Sequence, residues 1–315
     1  MNKIYILGGN GYIGSSLFEY LNDNGLDAYA CVRSDKAKLL LGSKSNYSGK
    51  VEVINYNKIS ENLNGECIVI NCSFGLNNSY KESRLYYRNL IKSLSHNKKI
   101  KRFIHLSTIA VYSKSKTFGF LNNFYVSEKL FHEQQIKKYF RGNFVILRIG
   151  HTYGPDSNHT IYLNDINKKI DIEKFKNTDL IHNFLCINLL KKTIFNILKK
   201  LVNLSGVYNL VDYPQKSFYQ LLREHRIEKE EVKSFQYFNY SIEKKKTFSL
   251  IFTLHETFSG IFIFLPAKIE KTLRKIKNLK RFKNIISNYN SRNTLYLPKD
   301  YTDIKKVDIS DILKI

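Results

Sequence analysis

The stretch "LGGNGYIGSS", Leu7 to Ser16, decides the fold. It follows a short apolar run, "KIYIL" (Lys3–Leu7), and leads into "SSLFEYLNDNG", an amphipathic segment that stops at Gly25. Strand, glycine turn and helix in that order open a dinucleotide-binding βαβ unit. Gly8 permits the tight turn, Gly11 lets the backbone approach a diphosphate, and Gly14 lets the helix pack closely on the strand. The anion would sit at the helix N-terminus, where free N–H groups and the helix dipole favour negative charge. Gly8, Gly11, Tyr12, Ile13 and Gly14 are therefore the candidate cofactor-binding residues of this turn.

Outward from that turn, apolar runs alternate with helical stretches. "DAYACVR", "KVEVIN" and "CIVINCS" read as the second to fourth strands, and a helix spans Tyr80–His96. "RFIHLS" is a fifth strand, a helix crosses Glu128–Phe140, and "NFVILRIG" is a sixth strand. Near-continuous apolar strands between helices predict an α/β fold, a doubly wound parallel sheet of Rossmann type covered on both faces. No repeat of solenoid type is present.

The end of the second strand bears on the choice of dinucleotide. An acidic residue there binds a ribose 2′-hydroxyl, whereas an arginine accepts a 2′-phosphate. This chain has "CVRSDKAK", with Arg33 at the tip and Lys36 and Lys38 beyond it. Arg33 and Lys36 favour NADP(H), with NAD(H) as the alternative. A solvated basic loop in a basic protein is the plainer account of the same residues.

The chain has 315 residues with a formal charge of +24. That charge favours phosphate-bearing partners, although a Lys- and Asn-rich composition explains it equally well. Cys31, Cys67, Cys72 and Cys186 show no zinc-type spacing and read as reduced thiols, and no metal site is expected. "MNKIYILGG" carries no signal-peptide pattern, so a cytoplasmic location is expected.

A second stretch, "FYVSEK" (Phe124–Lys129), places Tyr125 and Lys129 four residues apart at the start of a helical segment. With 22 tyrosines in so basic a chain, such a pair also arises by chance. Its context is what gives it weight. With the glycine turn, the basic strand end and "YVSEK", the chain resembles the extended short-chain dehydrogenase/reductase family, also called the NAD-dependent epimerase/dehydratase family. Further landmarks follow in order: "INCS" (Ile70–Ser73), "FIHLSTIAVYS" (Phe103–Ser113), "LRIGHTYGP" (Leu147–Pro155), "HNFLCINLLKKTI" from His182, and "GVYNLVD" from Gly206. The resemblance spans roughly residues 1–215.

The resemblance implies a catalytic set of Thr108, Tyr125 and Lys129, with Ser107 as an alternative to Thr108. It adds Asn71 and Ser73, together with Tyr125 and Lys129, to the cofactor contacts, and places His182, Ser107 and Tyr153 near the substrate. The chemistry suits those residue types. A phenol titrating near 10 is a poor base at neutral pH, and a neighbouring ammonium favours its ionised form. One helical turn puts both side chains on one face. Tyr112 reads as packing.

The departures narrow the reaction. The acid pair that family dehydratases carry after the threonine is here Ile109 and Ala110, which disfavours elimination of water. The family's Arg-Asp-Phe becomes His182-Asn183-Phe184, which weakens a fork-like grip on a nucleotide diphosphate. The C-terminal third is unusual: "TFSLIFTLHETFSGIFIFLP" (Thr247–Pro266) is apolar but interrupted by His255 and Glu256, and a basic amphipathic stretch follows. That stretch either packs on its own domain or lies on an anionic membrane surface.

The expectation is thus a Rossmann domain (1–155 plus about 183–212) and a smaller, mostly helical substrate lobe (156–182 plus 213–315). The function expected is an NAD(P)-dependent oxidoreductase reducing a keto group of a nucleotide-linked sugar for surface polysaccharide synthesis. The rivals are an NAD-dependent 4-epimerase acting on a nucleotide-linked or lipid-linked sugar, and a non-catalytic NADP-sensing or RNA-binding member. Nucleic acid is disfavoured because no aromatic stacking platform or RNA motif accompanies the charge. Family habit implies a homodimer through the helices near Tyr80–His96 and Glu128–Phe140.

Overall fold

The computed structural model describes residues 2–55, 59–74, 79–112, 124–140, 143–155, 157, 183–199 and 204–213, with isolated positions 220, 223 and 269. Nearly all of the expected C-terminal lobe, His182 and the basic amphipathic stretch lie outside the described residues.

The chain alternates as the apolar pattern requires. Strand β1 (Lys3–Leu7) leads to helix α1 (Tyr12–Asp23), β2 (Ala28–Val32), α2 (Asp35–Gly42) and β3 (Val51–Val53). A short α3 (Ile59–Asn62) precedes β4 (Cys67–Asn71), α4 (Tyr80–His96) and β5 (Ile100–Thr108). A 3-10 turn (Ile109–Tyr112), α5 (Phe124–Tyr139), β6 (Phe144–Ile149), β7 (His151–Tyr153), β8 (Phe184–Cys186), α6 (Ile187–Leu198) and β9 (Gly206–Leu210) complete it. Seven strands form one sheet in the order β3-β2-β1-β4-β5-β6-β9, and every described pairing in it is parallel. β7 and β8 form a separate parallel pair.

Alternation along each strand feeds two cores. Ile4 and Ile6 of β1 face Leu17, Phe18 and Leu21 of α1 and Leu190, Ile194 and Ile197 of α6. Tyr5 and Leu7 face the other way, toward Leu90, Ile91 and Leu94 of α4 and Phe131 and Ile136 of α5. Truncating one such buried side chain to Ala costs about 2–5 kcal/mol.

Helix α4 owes its start to local chemistry. Ser79 caps α4 in a reciprocal box, with the Glu82 N–H donating to Ser79 Oγ (3.3 Å) and the Ser79 N–H to Glu82 Oε2 (3.1 Å). Helix α5 starts at Phe124, four residues earlier than its apolar pattern suggests, so Tyr125 and Lys129 both lie inside it. The α4–α5 seam carries a buried carboxylate: Glu128 accepts from Ser83 Oγ (2.7 Å) and from Arg84 Nε (3.1 Å).

The alternative account of the basic residues after β2, a solvated loop, does not hold for Lys36 and Lys38, which lie in a helix; Arg33 precedes that helix. Ser34 Oγ accepts the Ala37 N–H (3.3 Å), and residues 35–42 coil into α2.

Candidate active site

Ligands of open α/β sheets bind beyond the carboxyl ends of the strands, where the strand order reverses. Here that point lies between β1 and β4, and both flanking turns are built for close approach. Gly8 has φ +77°, and a methyl group on it would lie 2.9 Å from the Ser73 backbone. A methyl on Gly14 would lie 2.3 Å from the Gly8 carbonyl oxygen, which itself accepts the Gly11 N–H at 3.0 Å. Gly11 differs: a methyl there meets only the Gly8 oxygen, at 3.4 Å. The turn is therefore closed toward the protein at Gly8 and Gly14 and open at Gly11, where α1 begins. That shape, with a helix N-terminus behind it, fits the diphosphate of a dinucleotide. Tyr12 and Ile13 give the cradle their backbone, while their rings and side chains pack on the core.

Asn71 and Ser73 form the opposite lip. The Asn71 side chain is fully buried and accepts both the Ser73 N–H (3.0 Å) and the Ser73 hydroxyl (2.6 Å). Its amide nitrogen donates to Tyr87 OH (3.2 Å). Asn71 thus shapes the turn from behind, and it is the Ser73 backbone that abuts Gly8. At the far end of the crevice Arg33 is exposed at the tip of β2, and its charge reaches Tyr86 on α4. Lys36 sits exposed in the first turn of α2.

Lys129 and Tyr125 stand on the first turns of α5. Tyr125 is 37 % exposed, whereas Lys129 is only 5 % exposed. The ammonium donates to the Leu106 carbonyl (2.8 Å) and lies 5.3 Å from the Phe74 ring centre and 5.8 Å from that of Tyr125. Phe74 meets Tyr125 edge-on at 4.9 Å. Burial pulls the Lys129 pKa down to about 8; the nearby Cys72 and Glu133 oppose this incompletely. Burial lifts the Cys72 thiol to about 12, despite the Lys129 charge. Behind them His105 and His132 are buried and held neutral, first by desolvation. His132 stacks flat on Tyr87.

Thr108 ends β5, almost buried, with its hydroxyl oxygen accepting the Ala110 N–H (3.2 Å). Ser107 points the other way: its hydroxyl donates to Glu133 Oε1 (2.6 Å). Glu133 also takes a two-point contact from Arg148, Nε to Oε1 (3.0 Å) and Nη2 to Oε2 (2.7 Å). Arg148 Nη1 then donates to Tyr112 OH (2.7 Å), which donates to Asn209 Oδ1 (3.0 Å). Burial works against the Arg148 charge, but the Glu133 contacts outweigh it and raise its pKa. Sequence reasoning missed Glu133 and Arg148. The available signal was that Glu133 stands one helical turn past Lys129, facing the same sheet.

Tyr153 lies buried on β7, donating its hydroxyl to Asp212 (2.7 Å). Ile109 and Ala110 are both buried against Val126 and Val211. The described residues hold no cluster of histidine, cysteine or carboxylate side chains that would bind a metal.

A seven-stranded parallel sheet with a glycine cradle at its switch point and a Tyr–Lys pair beside it defines a dinucleotide-binding α/β protein. The sequence profile of the NAD dependent epimerase/dehydratase family matches residues 4–185, and the chain belongs to that family. Among solved structures it is similar to the UDP-N-acetylglucosamine 4-epimerase of Bacillus cereus, at 21% identity and TM-score 0.54, over 70% of this chain and 82% of that one. The UDP-glucose 4-epimerase of Thermus thermophilus, solved with NAD, is 15% identical at TM-score 0.52, over 71% and 82%. The dTDP-glucose 4,6-dehydratase of Bacillus anthracis, also with NAD, is 15% identical at TM-score 0.52, over 71% and 80%. At these identities the likeness establishes the fold. A search of curated proteins finds no match.

Proposed function

We propose that the protein is an NADPH-dependent reductase of a keto group on an activated sugar. The observation that carries the catalytic part is the buried Lys129 ammonium 5.8 Å from the ring centre of the half-exposed Tyr125, at the mouth of the glycine cradle. A bound nicotinamide dinucleotide supplies the hydride. Tyr125 gives its phenolic proton to the carbonyl oxygen as charge develops there, and the Lys129 cation stabilises the phenolate left behind. Thr108, at the end of β5, holds the substrate oxygen through its hydroxyl.

Arg33, exposed at the tip of β2, supports NADPH over NADH, because its planar fork can grip a 2′-phosphate. Ile109 and Ala110 leave no carboxylate at those two positions for eliminating water, which supports reduction over dehydration. A nucleotide-linked sugar is the substrate class, and a role in surface polysaccharide synthesis follows from that class. The chain works in the cytoplasm in this reading, and residues 156–182 and 213–315 form the substrate lobe. Among the described residues no helix is long and apolar enough to cross a membrane.

The test is to identify any dinucleotide that copurifies, then titrate NADPH and NADH against the emptied protein. An empty site with clear NADPH preference supports the reductase. Tightly held, stoichiometric NAD overturns it in favour of a 4-epimerase that recycles its cofactor.

A further inference from the structure

Phe74 is the third residue past the end of β4, just beyond the Ser73 backbone that abuts Gly8. It belongs to neither of the two cores of the sheet. Its described ring contacts are instead with polar groups of α5: the Lys129 ammonium at 5.3 Å, the Tyr125 ring edge-on at 4.9 Å and the His132 ring at 6.3 Å. Phe74 is partly buried, and Tyr125 beside it is half-exposed. The ammonium lies against both rings and is almost out of contact with water. An aromatic side chain set on a cation and a phenol, rather than on apolar core, acts through what it does to them.

We propose that Phe74 is the positioning residue of the Tyr125–Lys129 pair: its ring keeps water from the ammonium and holds the phenol against it. The proposal rests on the reading of those two residues as the working pair. Two effects of the ring oppose each other at Lys129. Its face attracts the cation, which favours the protonated form. Its apolar bulk excludes water, which favours loss of the proton. Exclusion is the larger, because burial brings the Lys129 pKa down to about 8 with the ring in place. At Tyr125 the edge contact limits rotation of the phenol. The other titratable groups around the ammonium are Cys72 after β4, His105 on β5, and His132 and Glu133 on α5, with Arg84 of α4 beyond His132. Burial keeps both imidazoles neutral and the thiol protonated, which leaves Glu133 as the negative charge beside Lys129. Removing the Phe74 ring deletes none of these partners and admits water on the side that the ring covered.

The test is an NMR titration of the Lys129 side chain in lysine-labelled, emptied protein, with its signal assigned by its absence from Lys129→Met. The parent should titrate at about 8. Phe74→Ala should raise the midpoint to about 9 or above, toward the value of a hydrated lysine. Phe74→Leu keeps apolar bulk without the ring face, so it should titrate at about 8 or slightly below. Phe74→Val, a smaller truncation, should move the midpoint in the same upward direction and serves if the Ala version does not fold. In the reductase reading the alkaline limb of ketone reduction should follow the midpoint in each variant, with kcat falling in Phe74→Ala by more than KM rises. A midpoint that moves while the limb stays fixed supports the role of Phe74 and overturns the reductase reading instead. A Phe74→Ala midpoint indistinguishable from the parent's, equal shifts in the Ala and Leu variants, or a parent midpoint at the free-lysine value of about 10.4 would each overturn the proposal.

Discussion

Lys129 is held in its site at a cost that can be measured. In the unfolded chain its ammonium keeps its proton until about pH 10.4. In the fold burial lowers that value to about 8. Between those values the unfolded chain binds more protons, so raising the pH favours the fold, and below about 8 the penalty is fully present. A difference of roughly 2.5 pH units corresponds to about 3 kcal/mol at pH 7, about 2 at pH 9 and under about 1 at pH 10. Lys129→Met keeps the stem and removes the charge, and it also removes the bond to the Leu106 carbonyl, worth about 1 kcal/mol. The variant should therefore be more stable than the parent by about 2 kcal/mol at pH 7, or roughly 4 °C in Tm. The gap should shrink by about 1 kcal/mol at pH 9. Paired thermal melts of the two emptied proteins at both pH values measure this. A Lys129→Met protein that melts below the parent at pH 7, or a gap that does not move with pH, would refute a buried cation held at a cost.

Other perturbations separate the parts of the site. Tyr125→Phe should lower kcat at least about 100-fold while dinucleotide binding, read by fluorescence, stays within about twofold. Ketone reduction by the parent should fall as pH rises through about 8, because Lys129 then loses its proton, and a stopped-flow pH profile would show the descending limb. Arg33→Ala should weaken NADPH about 10- to 100-fold and leave NADH nearly unchanged by calorimetric titration. Glu133→Gln keeps the shape but removes the charge that holds Arg148, so a loss of about 2–4 kcal/mol in stability is expected from denaturant melts.

Much of the fold was legible because its signals are local. The apolar run Lys3–Leu7 ends in a glycine that must take positive φ, and the helix Tyr80–His96 begins where Ser79 and Glu82 cap each other. α2 was not legible. It opens with charged residues, and its apolar residues do not mark one side: Ala37 and Leu41 pack on the core while Leu39 and Leu40 are exposed. The choice of Thr108 over Ser107 rested on motif spacing, and the structure supplies a physical contrast: Ser107 spends its proton on Glu133. The Glu133–Arg148 contact joins a helix to a strand 15 positions away in sequence. Nothing in a local window announces such a pair, because its existence depends on how α5 lies across β5 and β6.

That contact also explains how the site tolerates Lys129. An ammonium this buried is a reason for α5 to lift away from the sheet. Glu133, one turn further along, faces the same sheet and is clamped to it at two points by Arg148 and at a third by Ser107. The helix is thus held down just where its first turns carry a charge that would rather be in water. The negative charge of Glu133 partly offsets the burial of Lys129. The same side chain therefore anchors α5 and keeps Lys129 basic enough to remain a cation at neutral pH, which the proposed proton transfer from Tyr125 requires.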